Sequence, residues 1–70
     1  MTPEPAVPVA RLENLWRRLR QLRGMANADA RRANGARQPR MALFHGAVAN
    51  TYRCAAADLR AVIDEAKGET

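Results

Sequence analysis

Apolar residues recur along this chain at alternating steps of three and four. Leu12, Leu15, Leu19, Leu22 and Ala26 form one run. Val48, Tyr52, Ala55, Leu59, Val62 and Ala66 form a second, with His45 and Met41 continuing it toward the N-terminus. This spacing puts each run on one face of an α-helix and matches the seam of a coiled coil or helical hairpin. No stretch alternates with period two, so no strand is predicted.

Local signals set the expected boundaries. Residues 1–7 hold two of the four prolines and read as an extended arm. Pro8 fits the first turn of a helix, where its missing N–H costs nothing. Asn34 and Gly35 both tolerate the left-handed cap conformation and predict a stop. Pro39 opens a second helix, and Gly68 follows its last turn. The expected organisation is an arm over 1–7, a helix over 8–34, a loop over 35–38, a helix over 39–67 and a tail over 68–70. Such a short connection predicts antiparallel helices. The fold class is therefore all-α, a two-helix, coiled-coil-like hairpin able to dimerise into a four-helix bundle. Gly24 and Asn27 supply an alternative: a stop followed by a new N-cap would give three short helices with a break near Gly24.

The two runs fit one another. Antiparallel pairing gives layers of Leu12 with Val62, Leu15 with Leu59, Leu19 with Ala55, Leu22 with Tyr52 and Ala26 with Val48. Large residues then mostly meet small ones. The same alignment sets Arg11 near Glu65 and Arg18 near Asp58. Asp29 and His45 fall on the seam at one level, as a polar layer of the kind that fixes register in coiled coils.

Composition limits what such a hairpin can bury. Of 70 residues, 47% are apolar, but fifteen of those are alanine. Trp16, Ala30, Ala42, Ala49, Ala56 and Ile63 lie on one flank of the seam, and Phe44 adds apolar area near the loop. These seven are the expected protein interface, because a lone two-helix hairpin is marginally stable and gains from a second packing surface.

Charge is uneven. The net formal charge is +5, yet residues 11–40 carry nine Arg against Glu13 and Asp29. Arg17, Arg20 and Arg31 lie on the outer face of the first helix, and Arg32, Arg37 and Arg40 carry the basic surface round the loop. On nucleic acid these six would contact phosphates without reading sequence.

Candidate chemistry is sparse. One Cys rules out an internal disulfide framework, and one Cys with one His rules out a Cys/His zinc site in one chain. His45 and Cys54 are nine residues apart on one helix, which turns them to opposite faces and excludes a catalytic pair. There is no phosphate-binding glycine loop, no GxSxG and no HExxH. No enzyme activity, cofactor, metal or small-molecule substrate is expected. No apolar run is long enough to span a membrane, and no secretory signal is read, so a cytoplasmic setting is expected. The leading expectation is a small interaction or assembly protein acting through helix packing. Its partner would be itself, as a homodimer, or a larger protein. The alternative is a small basic DNA- or RNA-binding regulator using the Arg-rich first helix and loop.

Overall fold

The computed structural model describes residues 7–68. Two helices make up the fold: α1 spans Val9–Gly35 and α2 spans Pro39–Gly68. They pack side by side along their lengths as a helical hairpin. The molecule measures 57 × 23 × 14 Å. A thickness of 14 Å is one layer of helix, since a helix with its side chains is about 10–12 Å across. Among the described residues, neither broad face of the hairpin therefore has a covering layer. Apart from Val7, the arm expected over 1–7 lies outside the described residues, as do residues 69 and 70 of the tail.

Pro8 precedes α1 in an extended conformation, and its carbonyl accepts from the Arg11 and Leu12 amides at 3.0 and 3.3 Å. Proline thus serves as the N-cap residue, one position before the expected place. α1 then runs through Gly24 without interruption. The three-helix alternative is not the one adopted. A glycine costs only about 1 kcal/mol inside a helix, and Leu22 and Ala26 on either side both pack toward α2, which holds the segment helical.

The stop is also displaced. Gly35 is helical, and the left-handed residue is Arg37, with φ 56°. The Arg37 amide donates to the Asn34 carbonyl at 3.1 Å and the Gln38 amide to the Ala33 carbonyl at 2.8 Å. Those two bonds are the pattern of a Schellman cap. The reversal is placed by the tertiary fold, which needs Pro39 at the first position of α2. A glycine two residues upstream does not outweigh that requirement.

The stripe that faces the partner helix is only partly the expected one: Ala26 belongs to the expected seam, and Ala33, Ala49, Ala56 and Ile63 do not. The buried residues are Ala26, Ala33, Ala49, Ala56 and Ile63. They repeat every seven positions on each helix, and Ile63 is 0% exposed. Ala49, Ala56 and Ile63 were expected on an outward flank, available to another molecule. They are instead the contact line of the hairpin. The expected seam has rolled to one side: Leu15 and Val62 are 47% and 51% exposed, and Leu22, Val48, Tyr52, Ala55 and Leu59 are half-buried. The physical reason is size. Helix axes approach to about 8 Å only where small side chains meet, and toward 10 Å where large ones do. Alanines at heptad spacing on both helices permit the close approach, and the larger side chains then straddle the contact.

Near the loop the register agrees with the expected layers. Leu22 and Tyr52, Ala26 and Val48, and Asp29 and His45 all line one groove between the helices. The charge pairing does not agree. Arg11 with Glu65 and Arg18 with Asp58 form no ion pair. The helices are bridged instead by Glu13 and Lys67, at 3.4 Å. The roll explains this, because it turns Arg18 and Asp58 outward on opposite edges of one face.

Candidate functional site

The roll divides the hairpin into two unlike faces. On one, Leu22 and Met25 of α1 meet Phe44, Val48 and Tyr52 of α2 along an open groove. Whole heptads extend that surface away from the loop. Leu15 precedes Leu22 by seven, Leu59 follows Tyr52 by seven, and Val62 follows Val48 by fourteen. Met25, Phe44 and Val62 are each more than half exposed. Six large aliphatic side chains, Leu15, Leu22, Met25, Val48, Leu59 and Val62, thus border or line one uncovered surface.

The opposite face is charged. Trp16 of α1 is half-buried there. The Arg20 guanidinium lies 4.9 Å from the centre of its indole ring, and that of Arg60, from α2, lies 5.1 Å away. Arg60 also donates through Nε to Asp64 at 3.2 Å. The indole is therefore under cations, not offered to a partner as sequence reasoning expected. Ala30 and Ala42 are half-buried near the loop end of the hairpin. Of the seven expected interface residues, Phe44 alone is an exposed apolar side chain.

The expected polar layer is present in place but not in bonding. Asp29 and His45 share the groove, and both are half-buried. The Asp29 carboxylate accepts from Arg32 one turn along its own helix. His45 makes an edge-on ring contact with Phe44, centroids 5.3 Å apart. No hydrogen bond links Asp29 to His45. A carboxylate at a wet helix end finds a nearby guanidinium on its own helix at less entropic cost than one across the groove.

The six arginines expected at a nucleic-acid surface do not form one surface. Arg17 and Arg31 are exposed on the back of α1, and Arg17 donates to Asn14 Oδ1 at 3.0 Å. Arg20 covers Trp16, Arg32 is held by Asp29, Arg37 shapes the turn and Arg40 stands in the first turn of α2. Half of them have an evident task within the chain.

Among the described residues, no three His, Cys, Asp or Glu side chains come together, and no helix is long and apolar enough to cross a membrane. Sequence reasoning missed the exposed Leu15, Met41 and Val62, having assigned them to the seam or its extension. The signal that identifies the true contact line was available: Ala26 with Ala33, and Ala49 with Ala56, each seven apart. No family model, curated protein or solved structure matches this chain.

Proposed function

We propose that this chain is a small non-enzymatic assembly protein that works by packing one face of its hairpin on another helical surface. The observation that carries the reading is the uncovered face bearing Leu15, Met25, Phe44 and Val62. A one-layer hairpin whose buried residues, among those described, are four alanines and one isoleucine leaves its larger side chains half-buried or exposed. Burial is worth about 25 cal/mol per Å² of apolar surface, so the larger side chains contribute their share only when a second layer covers them. Contiguous exposed apolar surface on a small protein commonly marks an interaction site. The reading places the chain in the cytoplasm, where its exposed free thiol, Cys54, stays reduced.

The competing reading is phosphate contact through Arg17 and Arg31 on the back of α1, favoured by the basic charge of residues 11–40. The two surfaces are separate, so substitutions distinguish them. Leu15→Glu with Val62→Glu is expected to abolish association and function, while Arg17→Glu with Arg31→Glu leaves both intact. The reverse pattern, with function lost only in the arginine variant and association retained, overturns the assembly reading. Sedimentation with nuclease-treated protein reads the first quantity without contribution from bound nucleic acid.

A further inference from the structure

We propose that the occupant of the uncovered face is a second copy of this chain, stacked with α1 over the partner's α2 about a two-fold axis parallel to the helices. This rests on the assembly reading above and adds the identity and orientation of the partner. Charge complementarity across an apolar face supports it. Met25 lines the groove on α1, and Arg18 and Arg11 stand seven and fourteen positions before it. Phe44 lines the groove on α2, and Asp58 and Glu65 stand fourteen and twenty-one positions after it. The buried residues of both helices repeat strictly by seven, so these positions keep their places on the face. One edge is thus basic and the other acidic. All four side chains are exposed, and none forms an ion pair among the described residues.

A rotation about an axis parallel to the helices carries the basic edge of one copy over the acidic edge of the other without changing level along the hairpin. Arg18 and Asp58 lie at one level in the register, as do Arg11 and Glu65. Each therefore meets its opposite across the interface, twice over by symmetry. The arginine stems cross the partner's Val48, Ala55 and Val62 stripe with their charges reaching its rim, as long basic side chains do. The other simple stacking, α1 on the partner's α1 about an axis across the hairpin, brings Arg11 toward Arg32 and sets the two basic edges together. Like charges juxtaposed across an interface select against that arrangement.

The test uses Arg18→Glu and Asp58→Arg in the full chain, with dimer dissociation measured by sedimentation equilibrium. Both positions are exposed and form no ion pair among the described residues, and circular dichroism checks that helicity is unchanged. Each variant alone is expected to dimerise about tenfold more weakly than the parent chain, in keeping with a loss of surface-pair size repeated by symmetry. An equimolar mixture of the two is expected to recover parental affinity as a heterodimer. The introduced glutamate at position 18 then faces the introduced arginine at position 58, and the remaining Arg18 faces the remaining Asp58. The double variant recovers in the same way. Unchanged single variants, a mixture that does not recover, or tighter association of Arg18→Glu overturns this stacking while leaving self-association standing. A parent chain that stays monomeric at all concentrations removes the second copy as occupant, and the outcome for Leu15→Glu with Val62→Glu then decides the broader reading separately.

Discussion

The Arg60 guanidinium of α2 lies over the Trp16 indole of α1, 5.1 Å from the ring centre. This contact joins the two helices on the charged face, away from the groove. Asp64 holds Arg60 from the following turn at 3.2 Å, which limits the positions its head can take. Cation–π pairs at exposed sites are worth about 0.5–1 kcal/mol. A double-mutant cycle of Trp16→Leu and Arg60→Gln is expected to return a coupling of that size in urea unfolding. The Arg20 guanidinium, 4.9 Å from the same ring but on the same helix as Trp16, is expected to couple to it with little effect on how the helices pair. Equal coupling of Arg60→Gln to a distant alanine substitution would show that the loss is not carried by the ring.

The turn holds a cost that substitution can relieve. Arg37 occupies the left-handed region at φ 56°, where a side chain raises the energy by roughly 1–2 kcal/mol relative to the right-handed form. Glycine has no such penalty but gives the unfolded chain more freedom to lose. Arg37→Gly is expected to stabilise the hairpin by up to about 1 kcal/mol. Gly24 presents the opposite case. It is helical, and a Cβ there would meet nothing within 4 Å. Gly24→Ala is expected to add about 1 kcal/mol, seen as a rise of several degrees in the melting midpoint. No gain at Gly24 would mean that the helix opens there in solution.

The Asp29 carboxylate is taken by Arg32 and not by His45, so no side-chain bond across the groove ties it to the register. Its side chain is 40% exposed and that of Arg32 is 77% exposed. Surface pairs of this kind contribute about 0–1 kcal/mol. Asp29→Ala is expected to lower stability by no more than that, with the helices still paired as before. A loss above about 2 kcal/mol, or a change in the separation of spin labels on the two helices, would restore the register role to this layer.

Much of the fold is legible in the spacing of leucines, valines and prolines. Steps of three and four give two helices, and the short connection makes them antiparallel. Leu22 with Tyr52 and Ala26 with Val48 fall into one groove because helix rise fixes what lies level with what. The roll of the helices was not legible from hydrophobicity. A hydropathy pattern ranks Leu15 and Val62 above Ala49 and Ala56, but close approach selects by volume, and the smallest side chains take the centre. The candidate interface moved for that reason. The expected flank of Ala49, Ala56 and Ile63 became the contact line, while Leu15, Met41 and Val62 of the expected seam became exposed. The turn escaped for a different reason: the local preference of Asn34 and Gly35 is worth less than completing the last turn of α1 and aligning Pro39.

If alanine size sets the approach of the helices, enlarging a central alanine should cost more than shortening a large residue on the face. Ala49 and Ala56 are 4% and 6% exposed, on the line where the helices meet. Inserting methylenes into a packed site typically costs about 1–3 kcal/mol, so Ala49→Leu or Ala56→Leu is expected to destabilise the hairpin by that amount despite adding apolar area. Ile63→Ala, at the end of the same line, removes a large side chain that is 0% exposed and is expected to cost about 2–5 kcal/mol. Val62→Ala is the contrasting case. Its side chain is half exposed in the single chain, so its truncation should cost well under about 1 kcal/mol where the chain is monomeric. The difference between Val62→Ala and Ile63→Ala, adjacent residues of similar chemistry, isolates facing from composition. Denaturation at low protein concentration measures it free of association. Ala56→Leu stabilising the monomer, with Ile63→Ala no worse than Val62→Ala, would return the leucine stripe to the centre of the hairpin.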